Sequence, residues 1–335
     1  MAAQATDPLI DPFSRAITYL RLSVTDRCDL RCTYCMPERM HFLPKAEILT
    51  LEEIARLARA FVRLGLKKLR VTGGEPLVRK GVMGLMAELA ALRAEGLEEL
   101  TLTTNGLALA QHAEALATLG VRRVNVSLDS LDRETFARIA RRDALPQVLE
   151  GIAAAQAAGL HVKLNTVALA RDNAEELPRL IEWGHARGLD VCLIEVMPMG
   201  AVEADRADQF LSLAAVRRDL ERRWRLEDLP DRTGGPARYV RVDETGGRLG
   251  FITPLSHTFC ESCNRVRLSA VGRLYLCLGQ SDSADLRAHL RAGVDDAALE
   301  TAIREAISRK PKGHDFRIAR AAPPAQERHM SLTGG

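Results

Sequence analysis

The chain has 335 residues, and 47 Lys and Arg against 44 Asp and Glu leave a net charge of +3, too small an excess to favour nucleic acid or a membrane surface. Hydrophobic residues make up 47% and charged residues 27%, an ordinary globular balance, while aromatics reach only 4%. No apolar run is long enough to span a bilayer, and residues 1–18 lack the apolar core of a signal peptide, so no membrane partner and a cytoplasmic setting are expected.

From Tyr19 to about Met197, short β-branched apolar runs alternate with longer amphipathic stretches. Strands are expected at Tyr19–Val24, Lys68–Thr72, Leu100–Thr104, Arg123–Leu128, His161–Val167 and Val191–Val196. The helical period marks Leu51–Leu64, with Leu51, Ile54, Leu57, Ala58, Phe61 and Leu64 on one face, and then Val82–Leu92, Leu109–Leu119, Leu145–Ala158 and Ala174–Arg187. This alternation predicts right-handed βαβ units and a parallel sheet, hence an α/β fold. Six units fall short of a closed barrel, so an incomplete (β/α)6 TIM-type barrel is expected, with a doubly wound sheet as the alternative. In either case the chemistry should gather at the C-terminal ends of the strands. Polar and glycine residues do collect there, among them Thr72-Gly73-Gly74-Glu75, Thr103-Thr104-Asn105-Gly106 and Ser127-Leu128-Asp129.

After Gly200 the pattern changes. A helix over Leu213–Trp224 leads through a Gly/Pro/Arg-rich stretch, Asp231 to Arg238, to short strands near Arg241 and at Leu249–Ile252, Val266–Ser269 and Leu274–Cys277. Helices near Ala284–Arg291 and Ala297–Ser308 precede a basic tail. The expected organisation is an N-terminal extension (1–18), the partial barrel (19–200), a C-terminal α+β domain (201–320) and a tail (321–335).

Cysteines carry the chemistry. Cys28, Cys32 and Cys35 stand at C-x3-C-x2-C spacing directly after the first strand. Four-iron clusters normally take four thiolates, so three leave one iron open to a ligand. Zinc completed by His41, or a disulfide with a spare thiol, are the alternatives on spacing alone. Cys260, Cys263 and Cys277 form a second set of three, where a zinc knuckle completed by His257 competes with a cluster. Arg265 and Arg267 lie beside this set at strand period, a pattern suited to bidentate anion binding. The seventh thiol, Cys192, has no ligand pattern and reads as a buried apolar cysteine.

The first triad, Tyr34 before its last cysteine, and Gly73-Gly74-Glu75-Pro76 resemble the radical S-adenosylmethionine (SAM) superfamily. With the second triad, Leu20-Arg21-Leu22-Ser23-Val24-Thr25-Asp26-Arg27-Cys28 and Asn264-Arg265-Val266-Arg267, the chain resembles the molybdenum cofactor biosynthesis protein A family, the GTP 3′,8-cyclases. Asp29 stands where that family is expected to carry asparagine. The resemblance implies two [4Fe-4S] clusters, one on Cys28, Cys32 and Cys35 that binds SAM, and an auxiliary one on Cys260, Cys263 and Cys277 in the C-terminal extension that binds the guanine of GTP. It implies SAM contacts at Tyr34, Gly74, Ser127 and Met197, and GTP contacts at Arg21, Arg70, Thr103, Lys163, Arg265, Val266 and Arg267. A 5′-deoxyadenosyl radical would convert GTP to 3′,8-cyclo-7,8-dihydro-GTP, and a tail ending Gly334-Gly335 would enter the site as a catalytic element. Also implied are a flavodoxin- or ferredoxin-type electron donor, product transfer to cyclic pyranopterin monophosphate synthase, and a monomer or homodimer. Rival readings are another radical SAM enzyme with an auxiliary cluster, such as a peptide maturase, and a non-catalytic zinc and nucleic-acid-binding module.

Overall fold

A computed structural model describes residues 8–230 and 234–334. Its first half is a run of strand–helix units: β1 (Tyr19–Ser23), α1 (Leu51–Arg63), β2 (Lys68–Thr72), α2 (Val82–Ala91), β3 (Glu99–Thr104), α3 (Leu109–Thr118) and β4 (Arg123–Ser127). Two helices follow, α4 (Arg133–Ala140) and α5 (Leu145–Ala157), then β5 (His161–Ala168), α6 (Leu177–His185) and β6 (Asp190–Glu195). The second half holds α7 (Arg206–Gln209), α8 (Leu213–Leu220), β7 (Leu226–Leu229), β8 (Arg238–Val242), β9 (Arg248–Ile252) and β10 (Arg265–Leu268). It ends with β11 (Arg273–Tyr275), β12 (Ser283–Asp285), α9 (Leu286–Arg291), α10 (Asp296–Ile307) and α11 (Met330–Thr333).

Among the described residues twelve strands lie in one sheet, ordered β12-β11-β10-β1-β2-β3-β4-β5-β6-β9-β8-β7. Strands β1 to β6 are sequential neighbours with no reversal of order, which rules out the doubly wound alternative. The C-terminal strands do not form a layer of their own. β10 adds parallel to β1 at one edge and β9 adds parallel to β6 at the other, so eight parallel strands line the interior. β11 and β8 then pair antiparallel, and the sheet stays open between β12 and β7. The expected boundary at residue 200 therefore separates two stretches of chain that share one sheet.

Alternation along the strands decides what faces where. Leu20, Leu22, Leu69, Val71, Val124, Val126, Val162 and Leu164 are buried in the main hydrophobic core. The residues between them, Arg21, Arg70, Asn125 and Lys163, line the interior instead. Helix α1 shows how the outer layer is set. Thr50 and Glu53 form a reciprocal capping box, and Ile54, Leu57, Ala58 and Phe61 are buried.

Several elements differ from expectation. The helix expected over Ala174–Arg187 opens as a 3₁₀ turn at Ala174–Glu176 and becomes α-helical only with α6, which has Pro178 in its first turn. The helix expected from Ala284 starts at Leu286, because Ser283–Asp285 pairs with β11 and Asp285 then caps the helix at the Ala288 amide. Helix α4 was not expected. It is short and carries Arg133, Glu134 and Arg138, but Asp132 caps it through the Thr135 amide and Phe136 and Ile139 bury one side.

Candidate active site

The loop after β1 carries the first triad. Such a loop is stable only if its backbone groups find partners. The amides of Arg31 and Thr33 donate to the carbonyls of Ala140 and Ile139 at the end of α4, at 3.0 and 2.9 Å. Buried Arg206 donates to the carbonyls of Tyr34 and Met199 at 2.8 and 2.7 Å. Cys35 and Met36 turn back onto the Cys32 carbonyl. The result is that Cys28, Cys32 and Cys35 line an open cavity together with Tyr34, Gly74, Thr103, Ser127 and Met197.

Gly74 is required by its neighbour across the loop. A Cβ there would stand 2.3 Å from the Arg27 carbonyl oxygen, and the Gly74 amide donates to Thr25 O at 2.8 Å. The glycine thus seats the cysteine loop on the end of β2. Glu75, which follows it, is fully buried and ties strand ends together, accepting from the amides of Leu77 and Asn105 and from the Thr104 hydroxyl. Burial pushes its carboxyl up to about 7 against those hydrogen bonds. Asp129 accepts from Tyr34 Oη at 2.7 Å and the Val167 amide at 2.8 Å, and burial pushes it up to about 6.

The second triad sits at the other end of the same strands. β1 and β10 run parallel, so Cys263 precedes the start of β10 while Cys28 follows the end of β1. Five strand residues at roughly 3.3 Å each separate the two ends by about 16 Å. β11 returns antiparallel from Tyr275, opposite Arg267, and delivers Cys277 to the Cys263 end. Cys260, Cys263 and Cys277 line a second cavity with Arg21, Arg70, Lys163, Arg265, Val266 and Arg267. Asn165, Ile194 and Met197 line both cavities, which therefore adjoin. The expectation that the chemistry gathers at one end of the sheet is corrected here: the interior and its opposite end are also lined by functional side chains.

Among the described residues the five basic side chains Arg21, Arg70, Lys163, Arg265 and Arg267 form no ion pair with a carboxylate. Nearby Lys68 and Arg123 are different, because both pair with Glu99 at 2.7 and 2.6 Å. Arg267, Arg21 and Arg70 are direct register partners across three adjacent strands. Like charges opposite one another repel. Burial first, with Arg70 and Arg265 beyond it, lowers the Arg21 guanidinium to about 10 although Tyr19 works the other way, and burial drives Arg267 down further. The Nε atoms of Arg21 and Arg70 are buried without a hydrogen-bond partner. A bound polyanion would remove both costs.

Two of the expected nucleotide contacts lie elsewhere than the rest. Thr103 lines the first cavity and reaches the second through Arg70 Nη1 at 3.4 Å. The Val266 side chain is core, so only its backbone faces the interior. The tail does enter. Met330 and Ser331 line the first cavity, Arg267 Nη1 donates to the Gly334 carbonyl at 2.6 Å, and a Cβ on Gly334 would sit 1.9 Å from Thr72 Oγ1. Gly335 lies outside the described residues.

Both triads fit iron–sulfur clusters. All seven cysteines are free thiols, and Cys192 is fully buried under Tyr239 and Ala237, away from the triads. Among the described residues no three His, Cys, Asp or Glu side chains converge on one metal ion, as a zinc site with His41 or His257 would need. In a four-iron cluster each thiolate holds its own iron and no such convergence is required. Burial raises Cys28 to about 12 and Cys35 to about 11, and raises Cys32 and Cys277 as well. Thiols so placed become thiolates only with a strong cationic partner. Burial also pushes Cys263 up, but Arg265, Lys310 and Arg15 outweigh it and leave that thiol below the ordinary value.

Fold and site together define a radical SAM protein with a second, basic, thiol-lined cavity. The Radical SAM superfamily model matches residues 22–184 and the Molybdenum Cofactor Synthesis C model residues 189–316. A GTP 3′,8-cyclase of Erythrobacter litoralis is 62% identical over 331 residues, covering 99% of this chain and 100% of that protein. One from Rhizobium etli is 61% identical over 329 residues, covering 98% and 94%. The solved structure of Streptococcus suis SuiB bound to S-adenosylmethionine aligns with a TM-score of 0.59 at 17% identity, over 86% of this chain and 67% of that one, a likeness of fold. The chain belongs to the GTP 3′,8-cyclase family.

Two predictions follow from this geometry. Gly74→Ala must displace the Arg27 backbone, so the purified protein should lose the iron of the first cluster and keep that of the second, measured as anaerobic iron and sulfide content. The Asp129 carboxyl holds its proton to about pH 6 in the fold and only to 3.8 when unfolded, so native stability falls as pH rises across that window. The shift corresponds to about 3 kcal/mol. Asp129→Asn should flatten the pH dependence of the denaturation midpoint between pH 4 and 6, and an unchanged slope would exclude Asp129 as its source.

Proposed function

We propose that this chain is a radical SAM enzyme that converts GTP to 3′,8-cyclo-7,8-dihydro-GTP, the first step of molybdenum cofactor biosynthesis. Cys28, Cys32 and Cys35 hold the [4Fe-4S] cluster that binds SAM, and Cys260, Cys263 and Cys277 hold the auxiliary [4Fe-4S] cluster on the substrate side. The observation that carries this reading is the pairing of two adjoining thiol-lined cavities, one of which contains five basic side chains with no carboxylate partner among the described residues. When bound, the cluster and SAM supply a 5′-deoxyadenosyl radical.

The protein's own residues bind and orient. Tyr34, Gly74, Ser127 and Met197 contact SAM. Arg21, Arg70, Lys163, Arg265 and Arg267 neutralise the triphosphate, with Thr103 and the Val266 backbone completing the nucleotide site. Holding the ribose between the two cavities sets the attack geometry, and the apolar rim of Ile194 and Met197 limits water there. The tail closes the site at Gly334, next to Arg267 and Thr72, and the terminal glycines serve as its catalytic element. A flavodoxin- or ferredoxin-type protein supplies electrons, and the product passes to cyclic pyranopterin monophosphate synthase. A cytoplasmic setting accords with the free thiols and with the lack, among the described residues, of any helix long and apolar enough to cross a membrane. A cavity so rich in unpaired cations favours a nucleoside triphosphate over a peptide substrate.

The test is anaerobic turnover with GTP and SAM, following 5′-deoxyadenosine and cyclised nucleotide separately. Cys28→Ala should abolish both products, whereas Cys277→Ala should abolish cyclisation and spare some 5′-deoxyadenosine. Full cyclisation by Cys277→Ala would refute the substrate role of the second site. Arg21→Ala removes one charge-assisted contact and should raise the KM for GTP roughly 10- to 100-fold. The same substitution should leave SAM binding unchanged.

A further inference from the structure

Residues 310–314 pass over the second triad, and neither their spacing nor any cysteine marks them as part of it. Lys310 is 2% exposed, although lysine is among the residues least often buried. Its Nζ donates to the carbonyl of Leu276 at 2.5 Å, the residue just before Cys277, and stands 3.8 Å from Cys263 Sγ. Among the described residues it has no carboxylate partner. Three residues further on, a Cβ at Gly313 would lie 3.2 Å from Cys260 Cβ and 3.3 Å from its sulfur. Only a bare backbone passes there comfortably.

A second buried cation latches this segment from the N-terminal extension. Arg15 Nη1 donates to the carbonyls of Cys260 and Lys312 at 2.6 and 2.7 Å, and Nη2 donates to Pro311 at 2.7 Å. Its Nε meets Asp11 Oδ2 at 2.6 Å, with that carboxylate wholly covered. The two cations thus touch the frame of all three thiols: Arg15 holds Cys260, and Lys310 holds Cys263 and the residue before Cys277. Their charges differ in effect. Asp11 offsets part of that of Arg15, whereas Lys310 is left to be balanced by the thiols.

We propose that Lys310 and Arg15 are positioning residues of the auxiliary cluster, with Arg15 fixing the loop geometry and Lys310 supplying the local positive charge that raises the cluster's reduction potential. This rests on the auxiliary cluster being held at Cys260, Cys263 and Cys277. A four-iron cluster on three thiolates is anionic and gains a further negative charge on reduction, so a buried cation beside it favours the reduced form. Removal of Lys310 lowers the potential. Removal of the Asp11 charge leaves that of Arg15 uncancelled and raises it.

The experiment is a redox titration of the anaerobically reconstituted full chain by electron paramagnetic resonance, with SAM added to identify the first cluster's signal. Lys310→Met should shift the auxiliary potential downward, Lys310→Arg should restore it, and Asp11→Asn should shift it upward, while the SAM-responsive signal stays in place throughout. Arg15→Met should lose auxiliary iron and sulfide. Unmoved potentials in both Lys310→Met and Asp11→Asn would overturn the proposal. If Lys310→Met fails to retain the cluster, the direction of the Asp11→Asn shift decides. A wild-type chain that binds one cluster only would instead overturn the underlying reading of the second triad.

Discussion

The parallel pairing of β1 with β10 is the constraint on which the rest depends. Four register pairs, Tyr19 to Leu22 against Arg265 to Leu268, join the start of the barrel to a strand almost 250 residues later in the chain. Because the two strands are parallel, the loop leaving β1 and the loop entering β10 must lie at opposite ends. The first carries Cys28, Cys32 and Cys35, and the second carries Cys260 and Cys263, to which β11 returns Cys277. Had β10 been antiparallel, both sets would have met at one end with no interior between them. The pairing therefore fixes the separation of the two sites at one strand length, and it fixes what lies between them.

What lies between is a row of cations. In a closed eight-stranded barrel the inward side chains pack against one another as a core. Here the sheet remains open at both edges, and the inward positions of β10, β1, β2 and β5 hold Arg265, Arg267, Arg21, Arg70 and Lys163. The helix-facing positions of the same strands are apolar and bury the main core. Stability thus comes from one face of the sheet, and the other face is free to carry side chains that repel one another until an anion arrives. Lys68 and Arg123, paired with Glu99, form the boundary of that unpaired region.

Much of this was legible beforehand. Arg21 and Lys163 stand between apolar strand residues, in Leu20-Arg21-Leu22 and Val162-Lys163-Leu164, and the spacing of two cysteine triads pointed to metal ligation with a disulfide left open. The sheet order was not legible, because β9 and β10 join opposite edges and no local pattern encodes a partner so distant in sequence. For the same reason residues 201–320 read as a separate domain. Arg15 and Lys310 were missed, and Glu75 and Asp129 were noted only as polar strand-end residues, because each acts on backbone groups of another segment, which leave no trace in residue type. Helix α4 was missed because one turn of apolar residues among charges falls below what periodicity can resolve.

The two triads share a ligand count but not an electrostatic setting. Around the first stand Asp29, Glu75 and Asp129, which add to burial in raising Cys28 and Cys32, while Arg206 and the Ser331 backbone oppose burial at Cys35. Around the second stand Arg265, Lys310 and Arg15, which bring Cys263 down in spite of burial. The contrast matches the charge of the intended guests. A sulfonium with an ammonium group is cationic at its reactive end and suits a cavity lined by Asp129 and Glu195 and by no lysine or arginine among the described residues, whereas a triphosphate suits one lined by guanidinium groups. Exchanging the guests would place cation against cation in one cavity and anion against anion in the other. Under the proposed reading, two cavities that adjoin at Asn165, Ile194 and Met197 need no barrier between them, because their opposite fields would sort the ligands.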